Sequence, residues 1–222
     1  MKKILLLFVL SISLNSIAQS NAEKELGVWY MYNGSHKLSP KFSLKSMAHF
    51  RFFEIGDDMQ QFIGRIGGNY KINNNLSATI GYAFLNTDGI NSYNVDGGEV
   101  NEHRIYEDFN IKHKIADLKF AHRLRAEHRF YNSQTGHFIR YQLGLSHPLS
   151  EKWSTYIYDE IFFDFDGEPF NQNWLGVGFK YKLSNSVKLQ AGYMNISDAN
   201  SISLDRIQLG ISINTNHFKT TK

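Results

Sequence analysis

The sequence predicts an all-β protein, an antiparallel transmembrane β-barrel of about 10 to 12 strands with a polar, arginine-rich lumen. Three observations support this prediction. Runs of about 10 to 13 residues alternate apolar and polar side chains, tight-turn motifs recur between the runs, and longer polar connections join the other run ends. Tilted strands of this length cross hydrocarbon, whereas average strands have about 5 or 6 residues. A soluble sandwich or lipocalin-like barrel is the less favoured alternative.

The beginning of the chain has the pattern of a secretory signal. Two lysines precede an apolar run from Ile4 to Leu10, and a small-x-small site lies at Ser16 to Ala18. A transmembrane anchor needs about 20 apolar residues, and this run is much shorter. We therefore predict a signal peptide at residues 1–18 and a single outer-membrane barrel domain at residues 19–222.

Composition argues against several classes of protein. The chain contains no cysteine, so neither a lipid-modified N-terminus nor a disulfide framework is available. The formal charge is +3, and two of the positive charges lie in the predicted signal. The exported chain is therefore close to neutral, and we expect no nucleic-acid partner.

The N-terminal strand candidate, Leu26 to Tyr32, is followed by runs that each have one apolar face and one polar face. In the second run, Phe42 and Phe50 oppose Lys45 and Arg51. The outward set of the later runs comprises Phe62, Ile66 and Tyr70; Leu76, Ala78, Ile80, Tyr82 and Phe84; Ile139, Tyr141, Leu143 and Leu145; Leu175, Val177 and Phe179; Val187, Leu189, Ala191 and Tyr193; and Ile207, Leu209, Ile211 and Ile213. An ordinary core cannot bury the charges of the opposite face unpaired, so that face meets water or lines a wet cavity.

The most strongly charged run is KFAHRLRAEHRFY, at residues 119–131. At a period of two, Arg123, Arg125 and Arg129 share one face with Glu127. At the helical angle of about 100° per residue the same arginines scatter around the cylinder and no apolar stripe remains. The run is therefore predicted to be a strand with a charged face.

Turn motifs set the orientation of the barrel. Five short units, each an aromatic residue or histidine, an apolar residue and two to four turn formers, predict hairpins: HKLSPKFSL, YKINNNLSA, HKIADLKF, HPLSEKWS and YKLSNSVKL. The longer polar connections lie at Asn86 to Glu99, Tyr131 to Gly136, Asp164 to Pro169 and Asn195 to Ser203. Outer-membrane barrels have short periplasmic turns and long external loops, so we assign the five tight turns to the periplasm.

The strand number depends on the segment at residues 19–35. Eleven runs are counted when Leu26 to Tyr32 is included, but bacterial single-chain barrels normally use an even number. Either this segment lies outside the wall, against it or inside it, leaving ten strands, or the chain has a twelfth strand.

The motifs resemble those of the outer-membrane family known as domain of unknown function 2490. They are KLSPKFSL, QQFIGRIGGNY, NEHRIYED, HRLRAEHRF, RYQLGLSHPLS, YDEIFF and FNQNWLGVGFKY, and together they cover nearly all of the mature chain. The resemblance implies a barrel in the outer membrane and transfers no catalytic residue. One departure is Trp174, where the resemblance implies an arginine.

The inward face predicts which side chains line the lumen. The predicted set is Arg51, Arg65, Glu102, Arg104, Arg123, Arg125, Glu127, Arg129, Arg140, Glu160, Gln172 and Arg206. In the favoured interpretation these charges pair across strands and fill the interior of a structural envelope protein. The alternative is a small passive pore that favours anionic solutes. Glu107 is expected to face lipid, and one of Asp159 and Glu160 must do so as well.

No catalytic residue, cofactor or metal ligand is predicted. An outer-membrane phospholipase pattern needs a histidine and a serine two residues apart on one strand, and the sequence has no His-x-Ser triplet. A hydrolase is therefore the disfavoured alternative. The histidines form no metal-spaced pair with acids beside it. The expected partners are the outer-membrane lipid bilayer, the barrel assembly machinery and, in the pore interpretation, small anionic solutes.

Overall fold

The structure is a computed structural model that describes residues 26–88, 98–132, 134–167, 169–199 and 202–218. The signal peptide predicted at residues 1–18 lies outside the described residues. No helix within the described ranges is long and apolar enough to span a membrane.

Eleven strands form one closed barrel, as the alternating runs predict. They are β1 (Gly27–Lys37), β2 (Phe42–Phe52), β3 (Met59–Lys71), β4 (Leu76–Asp88), β5 (Glu99–Ile115), β6 (Leu118–Phe130), β7 (Thr135–Pro148), β8 (Trp153–Asp164), β9 (Phe170–Lys182), β10 (Val187–Asp198) and β11 (Ser203–Asn216).

The barrel closes through a parallel pair. Strands that follow each other in the chain pair antiparallel, but β1 pairs parallel with β11, from Gly27 opposite Arg206 to Lys37 opposite Asn216. Both alternatives for the N-terminal segment are wrong in the described part of the chain, because β1 is a strand of the wall and no twelfth strand is present. With an odd number of hairpin-connected strands, the first and last run in the same direction, so closure requires parallel pairing.

Side-chain capping explains why the short turn motifs recur. The hydroxyls of Ser39, Ser150 and Ser184 each accept a hydrogen bond from the backbone N–H three residues later, at 3.0 to 3.1 Å. Asn73 does the same for Leu76 through its amide oxygen at 2.9 Å. These bonds satisfy donors that the tight turn leaves without a ladder partner, so the motif fixes the hairpin.

The outer surface is an apolar belt with aromatic residues at both ends. Ile66 and Ile80 remain half exposed or more in the middle of their strands. Near the tight turns, the rings of Phe42 and Tyr70 lie 5.0 Å apart. An apolar band between two aromatic girdles is the surface of a barrel that sits in a bilayer. The protein is therefore an outer-membrane β-barrel.

The positions of three acids show which side chains of β5 and β8 point outward and which point into the lumen. Glu107 faces outward, with its Oε2 3.7 Å from Nε2 of His128. Asp159 also faces outward and accepts a hydrogen bond from the Asn173 amide at 2.8 Å, so Glu160 faces the lumen. Each outward acid thus has a polar neighbour on the adjacent strand, which lowers the cost of facing lipid.

Inward glycines make room for tyrosine rings that lie flat against the wall. A Cβ at Gly81 would overlap the ring of Tyr106, and a Cβ at Gly176 would overlap the ring of Tyr158. Because glycine has no Cβ, each ring covers the neighbouring backbone and does not project across the barrel. The rings therefore leave part of the lumen cross-section free.

Candidate functional site

The lumen contains the charged groups that define the candidate site. All twelve side chains predicted to line it lie on the inward face of their strands, which follows from the alternation of buried and exposed positions along each strand. They come from β2, β3, β5, β6, β7, β8, β9 and β11. Residues distant in the sequence are thus brought together around one axis.

Glu127 on β6 is the centre of the charged network. Its carboxylate lies 2.8 Å from Arg140 Nη1 and 2.8 Å from Arg129 Nη2. Arg104 and Arg125 contact it at 3.2 and 3.5 Å, and its side chain is fully buried. A buried carboxylate needs such charge-assisted partners to offset its loss of hydration.

Three further carboxylates extend the network. Glu160 accepts hydrogen bonds from Arg123 at 2.6 Å, Arg140 at 2.8 Å and Gln142 at 3.0 Å. Glu102 pairs with Arg104, whose Nη2 lies 2.7 Å from it, and Asp108 pairs with Arg125 at 2.8 Å. Arg104, Arg125 and Arg140 each bridge two acids, so the network is continuous across β5 to β8.

Aromatic rings hold the guanidinium groups that lack a short carboxylate contact. The Arg51 guanidinium lies 3.6 Å from the ring centroid of Trp29, and its Nη1 donates to Gln61 at 2.8 Å. Trp29 on β1 packs edge-on against Trp174 on β9, 5.2 Å away. Strands β10 and β11 separate these two in the wall, so the contact reaches across the lumen and narrows it.

Trp174 stands where the resemblance to the family implies an arginine. Its indole N–H donates to Gln172 at 2.9 Å, and its ring packs against Phe162 at 4.5 Å. It therefore replaces an inward charge with an aromatic surface against which Arg140 lies, 5.3 Å from the ring centroid.

Cations outnumber carboxylates in the central lumen. In the described part of the chain, seven arginines share this region with four acids. The arginines are Arg51, Arg65, Arg104, Arg123, Arg125, Arg129 and Arg140, and the acids are Glu102, Asp108, Glu127 and Glu160. Arg206 lies nearer the wall, where its Nη1 donates to the backbone oxygen of Asp205 at 2.8 Å.

The lumen near the tight turns is lined by lysines. Lys112 interacts electrostatically with both Lys45 and Lys180 across this region. Lys45 donates to Ser35 at 2.7 Å, and Lys180 lies 4.7 Å from the ring centroid of Tyr156. Within the described ranges, none of these three lysines has a carboxylate at ion-pair distance. Their positive charge is therefore directed toward the lumen.

A cavity of about 1160 Å³ extends along the lumen. Its lining includes Gln60 and Thr87 near the longer connections, Arg65 and Glu160 at the centre, and Lys119 near the tight turns. A second cavity of about 280 Å³ lies at the turn end. The lining of the larger cavity therefore includes residues near both ends of the barrel, with part of the charged network between them.

Tyr131 lies just beyond β6 at the opposite mouth. Burial, and secondarily the nearby carboxylate of Glu102, raise the pKa of its phenol. The group therefore stays protonated at neutral pH and adds no negative charge to this end of the lumen.

The sequence interpretation missed two groups of lumen residues. The first comprises Lys112, Lys114 and Lys119, which lie in phase with the inward residues of β5 and β6 but beyond their most charged segments. Extending the period of two to the ends of those strands would have found them. The second comprises the rings of Trp29, Tyr158 and Phe162. Tyr158 and Phe162 are in phase with Glu160 on β8, but an uncharged ring does not by itself mark an inward face. Among the described residues, no group of acids and histidines could hold a metal ion.

Comparison with known proteins supports the same architecture. A solved structure described as KdgM porin is 17% identical, covers 80% of this chain and 86% of its own, and gives a TM-score of 0.50. A structure described as KdgM porin in complex with disordered oligogalacturonate is 16% identical with the same coverage and a TM-score of 0.49. LpxR from Salmonella typhimurium is 8% identical over 77% of this chain and 83% of its own, with a TM-score of 0.45. At these identities the first likeness shows a shared barrel fold.

No curated protein matches the chain. A family model matches residues 26–208, which is most of the sequence and spans β1 to the middle of β11. The chain therefore belongs to the family described as Protein of unknown function (DUF2490).

Proposed function

We propose that the protein is a small outer-membrane channel that favours anionic solutes. The observation that carries this proposal is the excess of inward cations along a cavity whose lining reaches both ends of the barrel. Fixed charge of one sign in a narrow, low-dielectric passage concentrates ions of the opposite sign. Inorganic anions and small carboxylates or phosphates are the solute class that this field favours.

Two parts of the lumen have different tasks in this proposal. The arginine–carboxylate network narrows the passage and fixes its width, because its side chains are held by several hydrogen bonds each. The anion is attracted by Lys45, Lys112 and Lys180 near the tight turns, because within the described residues none of these three has a carboxylate at ion-pair distance. No chemical step is required, and assembly by the barrel assembly machinery remains a prediction.

A side-chain-filled structural barrel is the second candidate. Glu127, Glu160 and Arg125 are at most 3% exposed, as expected for groups that fill an interior. In this case the free space beside them holds water without forming a conducting path. The two candidates differ in one measurable property, the steady conductance of the wild-type barrel.

Planar-bilayer recording across a KCl gradient tests the proposal. We expect small, steady channels whose reversal potential indicates preference for chloride. Arg123→Ser should fold, because Arg140 and Gln142 still bind the Glu160 carboxylate. It should raise the conductance and reduce the anion preference. Lys152→Ser, in a tight turn outside the lumen, is the matched control and should change neither property. Absence of steady conductance would reject the channel in favour of the structural barrel. Steady conductance with a preference for potassium would reject the anion preference.

A further inference from the structure

A hydrogen-bonded cluster lies on the outer face of the barrel at the β1–β11 seam. His36 on β1 faces outward, as do Ser46 on β2 and Thr215 on β11. The Ser46 Oγ lies 3.2 Å from His36 Nε2, and His36 Nδ1 lies 2.8 Å from Thr215 Oγ1. The Thr215 hydroxyl lies 2.8 Å from Nε2 of His217. The channel proposed above uses none of these groups.

One self-consistent set of hydrogen-bond directions prepares Ser46 for attack. In this set the Thr215 hydroxyl donates to His217 and accepts from the N–H at Nδ1 of His36. That tautomer leaves His36 Nε2 as an acceptor facing the hydroxyl of Ser46. A hydroxyl next to a base that a third group orients is the arrangement of an activated nucleophile.

Gly34 leaves the space in which this cluster forms. It pairs with Ser46 across β1 and β2, and a Cβ there would overlap Ser46 Oγ, the Tyr32 hydroxyl and His36 Nε2. The Tyr32 hydroxyl lies 3.1 Å from Ser46 Oγ. Because this hydroxyl lies beside the attacking oxygen, it can turn to the carbonyl oxygen of a bound ester, which becomes negative during attack by Ser46.

The height of the cluster on the barrel indicates which substrate it could meet. His36 and Thr215 are each the second residue from the periplasmic end of their strands. Ser46 lies four residues above Phe42, a member of the aromatic girdle, so the cluster spans the boundary between headgroups and hydrocarbon. Ester carbonyls of membrane lipids lie at this boundary. At the same end, exposed Lys41, whose ammonium lies 5.8 Å from the ring centroid of Tyr70 in the aromatic girdle, can contact a phosphate headgroup.

We propose that Ser46, His36 and Thr215 form an acyl-ester hydrolase site for glycerophospholipids of the periplasmic leaflet. Ser46 Oγ attacks the ester carbonyl and transfers its proton to His36 Nε2, while Tyr32 stabilises the oxyanion. The intermediate expels the glycerol oxygen, which takes the proton from His36, and the acyl group remains on Ser46. Water, activated by His36, then releases the fatty acid and restores the Ser46 hydroxyl. Thr215 is a positioning residue that acts through His36.

Reaction with a fluorophosphonate probe tests the nucleophile directly. Purified, folded wild-type barrel in detergent–phospholipid mixed micelles should bind the probe at Ser46, located by peptide mass mapping, and release fatty acid. Ser46→Ala should abolish labelling, and His36→Gln should slow both reactions by about 100-fold or more. Ser43→Ala is the matched control, because Ser43 is on the same strand but faces the lumen and accepts from Asn69 at 3.2 Å.

The Thr215 variants separate positioning from simple structural support. Thr215→Ser keeps the hydroxyl and should retain the labelling rate, whereas Thr215→Val should lower it with no change in heat-modifiable gel migration. The proposal is overturned if folded wild-type protein neither labels nor releases fatty acid, or if Ser46→Ala does both as well as wild type. Conductance measurements have no bearing on this result, since the cluster lies outside the lumen.

Discussion

Arginines dominate the centre of the lumen. Lysines dominate the tight-turn end, which we assign to the periplasm from the loop lengths and call the periplasmic end. The two groups are held differently. Arg140 contacts both Glu127 and Glu160, and Arg125 contacts both Asp108 and Glu127. Lys45 donates to a serine hydroxyl, and Lys180 lies against a tyrosine ring. The planar guanidinium matches carboxylates in two directions at once, whereas the ammonium group is a strongly hydrated point charge on a flexible stem.

We therefore expect the central arginines to support the structure of the barrel and the lysines to set the electrostatic field of the lumen. Most charged groups in the centre form ion pairs with one another, and these contacts fix their positions. In the proposed channel, Lys45, Lys112 and Lys180 can act on a solute, because within the described residues none of them has a carboxylate at ion-pair distance. Substitutions in the centre should therefore affect stability first, while substitutions at the periplasmic end should affect selectivity first.

The largest expected effect follows from Glu127→Gln. This change keeps the size of the side chain but removes the negative charge on which Arg104, Arg129 and Arg140 converge. Breaking a buried ion network by removing one partner costs about 3 to 5 kcal/mol. We expect that loss in the free energy of unfolding, measured by urea titration of the barrel in lipid vesicles. Glu107→Gln, at an outward and half-exposed carboxylate, is the control and should cost far less.

A small effect of Glu127→Gln would contradict the assignment of the centre to structure. It would indicate that water already screens these arginines, and the comparison between centre and periplasmic end would then lose its basis.

Much of this arrangement follows from the sequence because side chains in a strand alternate strictly. The face of Arg123, Arg125, Glu127 and Arg129 could be predicted from β6 alone, as could the capped turns. The partners of these charges could not be predicted, because they depend on the register between strands. Glu127 contacts Arg140 only because β6 and β7 pair Arg125 opposite Arg140.

Features at the seam were least accessible to sequence reasoning. The parallel pairing of β1 and β11 joins the two ends of the barrel, and a rule for antiparallel barrels gave an even strand number. The search for a histidine and a serine on one strand also missed the cluster beside the seam, where His36 on β1 meets Ser46 on β2 and Thr215 on β11. Both failures have one cause, since each contact joins segments that local patterns treat separately.

An intermediate effect is expected from a double change, Lys112→Glu with Lys119→Glu. Both side chains line the main cavity near the tight turns and are exposed to it. Reversing two charges should shift the reversal potential in a KCl gradient toward that of a cation-preferring pore, with little change in unfolding free energy. Lys152→Glu changes one charge in a turn outside the lumen and is the control. An unchanged reversal potential would show that the periplasmic lysines do not set the field.

The smallest effect is expected from Lys114→Ala, at the edge of the same region. Lys114 Nζ lies 3.3 Å from Asp117, and both side chains are more than half exposed. Exposed pairs of this kind contribute at most about 1 kcal/mol, so unfolding free energy should change by less than that. The neighbouring carboxylate also cancels most of the charge, so the reversal potential should move less than in Lys112→Glu alone. Lys114→Ala could instead shift selectivity as strongly as Lys112→Glu. In that case a carboxylate partner would not decide whether a cation supports the structure or sets the electrostatic field of the lumen. The centre and the periplasmic end would then differ in side-chain type alone.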